Sequence, residues 1–224
     1  MITLAFNTCT GRGAVAVIKD GKVLAQIVEQ DHRRLAERLV PMIDAALAQA
    51  GIGYKDLGLL AVTHGPGSFT GVRIGVATAR AIALASGIAA VGVSVLQVIA
   101  QQTLNKYLEF EIVGVCMDAR RNETYVQAFV REGAICRPID PPFVCPVNDL
   151  DTRLPEGVQV VVGTGAHLIE GDGDVLVDDS ECDLDLAVLA SVSAPATSGD
   201  SLPEPLYLRA PDAKLPQGKT LVQA

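Results

Sequence analysis

The sequence predicts an α/β protein of two lobes. Each lobe is expected to carry a mixed β-sheet flanked by helices, with the second lobe a degenerate copy of the first. Three observations predict it. Short β-rich runs joined by tight turns open the chain. Runs of helical period then alternate with apolar strand-like runs. A second meander restarts after about residue 107, as an internal duplication would require.

The elements follow in order. "ITLAFNT" reads as a first strand, "CTGRG" as a turn and "AVAVIKD" as a second strand. Asp20-Gly21 turns into "KVLAQIVE", closing an antiparallel meander. In "DHRRLAERLVPMIDAALAQAG", Leu35, Leu39, Ile43, Ala46 and Leu47 recur at helical spacing, Asp31 can cap the start and Gly51 stops the helix. Pro41 removes one backbone hydrogen bond there, at about 3 kcal/mol uncompensated, and predicts a kink. "DLGLLAVTHG" is the fourth strand, "TGVRIGVATARAIALASG" the second helix, "IAAVGVS" the fifth strand and "VLQVIAQQTLNKY" the third helix.

The lobe boundary is expected between Lys106 and Glu111, giving lobes over 1–106 and 107–224. "EFEIVGVCMDARRNETYVQAFVREGAICRPI" reads as strand, polar turn, strand, Glu-Gly turn, strand. "VQVVVGTGA" is a buried strand ending in a glycine turn, and "CDLDLAVLASVS" a short helix. The tail, "PEPLYLRAPDAKLPQGKTLVQA", is rich in Pro and Gly and is expected to be flexible.

Composition narrows the function classes. Of 224 residues, 49% are hydrophobic, enough for a packed core. Lys+Arg total 18 and Asp+Glu 26, a net charge of −8, so another subunit is expected to supply most of the positive surface if a nucleic acid is served. The five cysteines form no C-x-x-C pair and their odd number argues against a disulfide framework; small buried thiols are expected. No charged leader precedes a long apolar run and no stretch reads as a membrane span, so a cytoplasmic protein is expected.

"THGPGSFTGVRIG" (Thr63 to Gly75) is the most distinctive segment. Its Gly65, Gly67 and Gly71 fit neither the dinucleotide fingerprint nor a Walker loop, and Ser68 does not sit in G-x-S-x-G. His64 has no identifiable acidic partner. In the helix that follows, Gly71, Gly75, Thr78, Ala79 and Ile82 lie on one side, where small residues let another helix approach. That stripe serves internal packing or contact with another chain. With Leu35, Leu39, Met42, Ile43 and Ala46 of the first helix, it forms the candidate partner interface.

A second candidate is a nucleotide site. The hairpin "FNTCTGRGAVAV" offers Asn7, Thr8, Thr10 and Gly11, whose backbone could wrap phosphates. Asp118, at the equivalent hairpin of the second half, either faces a nucleotide or caps its turn. Gly163, Thr164 and Gly165 would seat a base or ribose. Asn7 is a neutral amide and attracts Mg²⁺ poorly compared with a carboxylate. The three histidines, His32, His64 and His167, form no H-x-x-x-H or H-E-x-x-H, so no metal is expected. The acidic run from Glu170 to Asp185 lacks the order of a calcium loop and reads as solvated loop.

"LAFNTCT", "LVPMI", "HGPGSFTGVRIG", "GVSVL", "DARRNETY", "VGTG" and "EPLYLR" occur in order across nearly the whole chain. Together they closely resemble the TsaB (YeaZ) family of bacterial subunits in threonylcarbamoyladenosine synthesis on tRNA. The resemblance implies the actin-like ATPase (ribonuclease-H-like) fold in two lobes. It implies a non-catalytic scaffold required with TsaD and TsaE. TsaD transfers the threonylcarbamoyl group to N6 of the adenosine beside the anticodon, in tRNAs reading codons that begin with A. TsaD holds a metal through an H-x-x-x-H on the helix after the fifth strand; the matching places here are Val95 and Ile99, which ligate nothing. The resemblance further implies pairing with TsaD through the first helices, a homodimer in isolation, tRNA reached through the complex, and ATP or ADP as a ligand of the complex. Asn7 replaces the family's usual Asp, and Asn122 stands where Gly is common. The alternatives are a stand-alone ATP-binding ATPase or kinase-like enzyme of the same fold, against which Asn7 speaks, and the metalloprotease of the family's old glycoprotease label, against which the missing histidine pair speaks.

Overall fold

The computed structural model describes residues 1–168, 176–178, 183–195 and 202–209. The opening meander forms as its turns dictate. Strands β1 (Ile2–Asn7), β2 (Gly13–Lys19) and β3 (Lys22–Glu29) are antiparallel neighbours. Asp20 (φ 49°) and Gly21 (φ 78°) both hold positive φ, as a two-residue turn matched to strand twist requires. Asp31 caps a short 3₁₀ turn, His32–Arg34, accepting from the Arg33 N–H at 3.1 Å. Helix α1 (Leu35–Ala50) then runs through Pro41, whose ring lies on the exposed side, and ends at Gly51 in the left-handed region.

Strand β4 (Leu59–Thr63) pairs parallel to β1, and β5 (Ala89–Val93) parallel to β4. Between them runs α2 (Phe69–Ser86), capped by the Ser68 hydroxyl and stopped at Gly87. Helix α3 (Val95–Lys106) follows, capped by Ser94. The first sheet has the order β3-β2-β1-β4-β5.

The second sheet repeats this plan. Strands β6 (Ile112–Asp118) and β7 (Glu123–Val130) are antiparallel, and β7 also pairs with β8 (Arg137–Pro138) and β9 (Phe143–Pro146). After a short α4 (Leu150–Arg153), β10 (Val160–Val162) pairs parallel to β6, and β11 (Leu176–Asp178) parallel to β10. The order β11-β10-β6-β7-β8 mirrors the first sheet, a central strand with a meander on one side and two parallel strands on the other. The acidic run expected to be loop thus contributes a strand, β11. Residues 170–175 and 179–182 of that run lie outside the described residues.

Side chains of a strand alternate between faces, and the first sheet uses that alternation. Leu4, Phe6, Val15, Val17, Leu60 and Val62 meet α1 and α2. The intervening Ala5, Ala14, Ala16 and Ala61 line the other face. Their small size lets α5 (Leu186–Ser193) close onto the sheet through Leu186, Leu189 and Ala190, although α5 follows the second sheet in the chain. Helix α3 buries Val95, Leu96, Ile99 and Leu104 against Val113, Val115, Phe129 and Val160 of the second sheet.

Candidate functional site

The opening hairpin and the glycine turn are locked together. The buried Asn7 amide accepts from the Cys9 N–H (3.0 Å) and the Thr63 hydroxyl (2.7 Å), and donates to the Thr10 hydroxyl (2.7 Å). Both lone pairs of its oxygen are spent on this chain. The Thr8 hydroxyl donates to the Gly71 carbonyl at 2.7 Å. The Ser68 N–H donates to the Cys9 carbonyl at 2.8 Å. Gly67 and Gly71 have no room for a Cβ: the Cys9 and Thr8 carbonyls occupy it. Gly75 likewise faces the Thr8 hydroxyl.

These contacts correct two expectations. The small-residue stripe takes the internal-packing reading: Gly71 and Gly75 bring α2 down onto Thr8, in the turn after β1, and onto Val62 of β4; Ala79 is buried too, and Thr78 half-buried. Leu35, Leu39, Met42, Ile43 and Ala46 are each at most 1% exposed, spent on the chain's own sheet, so they present nothing to a partner. What α1 and α2 turn outward is a different set: Val40 (52% exposed), Pro41 and Leu84 (75% exposed).

Of the nucleotide candidates, Asn7, Thr8 and Thr10 all have their side-chain polar groups engaged within the chain, and only Gly11 is open. The second set does assemble. Thr164 accepts from the Asp118 N–H at 3.1 Å, and Gly163 (φ 110°) and Gly165 pack against the backbone of 116–118. Asp118 accepts from the Arg120 N–H at 2.6 Å, capping a turn in which Arg120, Arg121 and Asn122 all hold positive φ.

No acyl-transfer constellation forms in the glycine turn. The Ser68 hydroxyl accepts from the Gly71 N–H as a helix cap. His64 Nδ1 lies 2.8 Å from the Glu204 carbonyl, and burial pushes its pKa down. The Cys9 thiol is pushed up to about 11 and those of Cys116 and Cys136 to about 12, burial being the largest cause in each. Among the described residues no three His, Cys, Asp or Glu side chains group as metal ligands, and no helix is long and apolar enough to cross a membrane.

Sequence reasoning missed the segment Leu202–Arg209. Part of the tail expected to be flexible is docked across the glycine turn. The Leu206 N–H donates to the His64 carbonyl at 2.8 Å, and the Leu206 carbonyl oxygen lies 2.6 Å from where a Cβ on Gly65 would stand. Pro203 covers Gly92, Arg80 donates to the Pro203 carbonyl, and Tyr207 stacks on Phe69 at 5.4 Å. Arg209 reaches the second lobe, pairing with Glu123 and donating to the Arg120 carbonyl. Gly65 and Gly92 therefore make room for this strap. The residues beyond it, 210–224, lie outside the described residues.

Two repeated sheets, a central strand with antiparallel and parallel neighbours in each, and a last helix returning to the first sheet define a two-lobed protein of the actin-like ATPase class. The family model for TsaD, tRNA N6-adenosine threonylcarbamoyltransferase, matches residues 22–162. The TsaB threonylcarbamoyladenosine biosynthesis protein of Escherichia coli is 32% identical over 222 residues, covering 93% of this chain and 95% of that protein. The Haemophilus influenzae protein of the same name is 37% identical over 129 residues, 58% of this chain and 54% of that one. A solved structure of YeaZ from Pseudomonas aeruginosa superposes with a TM-score of 0.77 at 26% identity, covering 92% of this chain and 99% of that one. The chain belongs to the TsaB (YeaZ) family, within the wider family that the TsaD model describes.

Proposed function

We propose that this chain is a non-catalytic subunit of the machinery that makes threonylcarbamoyladenosine on tRNA, acting with a TsaD-type transferase and a TsaE-type ATPase. The carrying observation is at α3. Val95 and Ile99, the places that match the transferase's metal-binding histidines, are 0% and 2% exposed and packed among Val113, Val115 and Val162. Apolar side chains in a dry core supply neither ligand nor proton acceptor.

The contribution of the chain is then a surface. The lobe over 1–106 offers the outer sides of α1 and α2, where Val40, Pro41 and Leu84 are exposed. The transferase docks there, and a second copy of the chain takes the same face when the transferase is absent. An ordinary interface of about 1,600 Å² would cover both helices. ATP or ADP belongs to the assembly; on this chain its candidate seat is the cradle of Asp118, Gly163, Thr164 and Gly165.

Reconstitution tests this. Purified chain, unmodified tRNA and the activated threonylcarbamoyl donor should yield no modified nucleoside by mass spectrometry. Adding the TsaD and TsaE homologues of the same organism should yield it. Modification by the chain alone would overturn the reading.

A further inference from the structure

Arg12, Arg33, Arg34, Arg38, Arg131, Arg137 and Arg209 each pair with a carboxylate within 4 Å. Arg73, Arg80, Arg120 and Arg153 pair with none among the described residues, in a chain whose net charge is −8. Arg153 lies over the Phe143 ring of the second sheet, and the other three lie along the strap. Arg80 touches Pro203, Arg73 touches Tyr207, and the Arg120 carbonyl accepts from Arg209. Six residue steps separate Pro203 from Arg209, about 20 Å at ~3.3 Å per step.

Aromatic rings open between these cations. Phe69 is 46% exposed and Tyr207 45%, in a chain that is only 4% aromatic. The Arg73 guanidinium lies 3.6 Å from the Phe69 ring centre, and its Nε donates to the Tyr207 hydroxyl at 2.9 Å. Stacking and that one bond hold the guanidinium plane in place while its Nη groups stay unbonded among the described residues. A planar, preoriented guanidinium is suited to a phosphate. Half-open aromatic rings beside it are suited to unstacked bases. Two carboxylates stand close by: Glu204, exposed on the strap, and Asp118, which caps the Arg120 turn; Glu123 is paired with Arg209.

We propose that the strap face, with Arg73, Arg80 and Arg120 as its cations and Phe69 and Tyr207 as its stacking rings, contacts a single-stranded stretch of RNA directly. This deepens the reading of the chain as a subunit acting on tRNA, and rests on it. It departs from the expectation that tRNA is reached only through other subunits. The net negative charge makes the contact local and salt-sensitive, and leaves the greater part of the attraction to a partner.

The test uses the full chain assembled with its transferase, binding unmodified tRNA in fluorescence anisotropy across a potassium chloride series. The variant is Arg73→Gln/Arg80→Gln/Arg120→Gln, with Arg120→Gln alone as a second variant, because that side chain makes no bond whose loss could unfold the protein. The triple variant should weaken binding at least tenfold at low salt. The slope of log K against log salt should fall by about 0.7 to 0.9 per cation removed, and by one such step in the single variant. Melting temperature and co-elution with the transferase should not move in the single variant, and the triple variant, which also loses the Arg73 and Arg80 bonds to the strap, should still fold. Unchanged affinity and slope in a folded triple variant would overturn the proposal. So would loss of co-elution with unchanged RNA binding, which would make this a protein-docking face. A wild-type assembly that binds no tRNA at all would instead remove the tRNA reading itself, and the proposal with it.

Discussion

Thr8 and Gly71 hold each other at the centre of the first lobe. The Thr8 hydroxyl donates to the Gly71 carbonyl at 2.7 Å, and the Thr8 carbonyl fills the space where a side chain on residue 71 would stand. Backbone cannot swing aside as a flexible side chain can. Gly71→Ala should therefore destabilise the chain by about 1–3 kcal/mol, or more, as overpacking does. In a protein of this size that lowers the melting temperature by about 2–4 °C per kcal/mol. Gly75→Leu, which would collide with the Thr8 hydroxyl, should unfold the chain outright. A Gly75→Leu chain that melts like wild type but loses its partner would return the stripe to an interface role.

The thiols give a second expectation. Burial raises Cys9 to about 11 and Cys116 and Cys136 to about 12, so the reactive thiolate is scarce in all three at pH 8. Iodoacetamide at pH 8 should leave these three unlabelled in native protein, by peptide mass spectrometry, and label them fully in urea. Fast native labelling at Cys9 would mean that the hairpin opens.

The first lobe was legible because its punctuation is local. Asp20-Gly21, Gly51 and Gly87 each stop an element where the sequence says it must stop, and Ser68 and Ser94 start one. What period alone does not say is which surface covers an apolar stripe. Leu35 to Ala46 repeat as a helix face whether a partner or the chain's own β2 and β3 lie beneath it; here it is the chain's own sheet. β11 was invisible for another reason. Three residues inside an acidic run become a strand only through pairing with β10, sixteen residues earlier in register. The strap is the extreme case. Pro203 and Pro205 deny it a regular ladder, and its bonds go to His64, Arg73, Arg80 and Glu123, far away in sequence. "EPLYLR" marked a family; it did not say what the segment touches.

His64 should tie the stability of the folded chain to pH. Its folded pKa lies below the ordinary value, chiefly through burial, so the folded state prefers the neutral ring. The unfolded state then binds the proton more readily. The stability from this site is complete above about pH 6.5, the unfolded value, and is lost as pH falls through the folded value. His64→Asn removes that titration. The stability advantage of wild type over the variant, from urea midpoints, should shrink between pH 7.5 and pH 5.5. The protection factor of the Leu206 N–H, which bonds the His64 carbonyl, should fall over the same range in wild type only, after correction for the intrinsic pH dependence of amide exchange. A gap that widens on acidification would reverse the assignment.

The outer sides of α1 and α2 carry the last expectation. Val40 and Leu84 are 52% and 75% exposed, so replacing them disturbs water more than core. Surface substitutions of this kind move stability by no more than about 0.5 kcal/mol. A charge buried unpaired in an apolar interface is another matter, since its desolvation goes uncompensated. Val40→Glu/Leu84→Glu should therefore melt within a degree or two of wild type, yet fail to co-elute with the transferase in gel filtration. If the isolated wild-type chain elutes as a dimer, as proposed, loss of that dimer in the double variant would show that one face serves both partners. Co-elution at wild-type strength by the folded double variant would place the interface elsewhere, and leave these two side chains as ordinary exposed apolar surface.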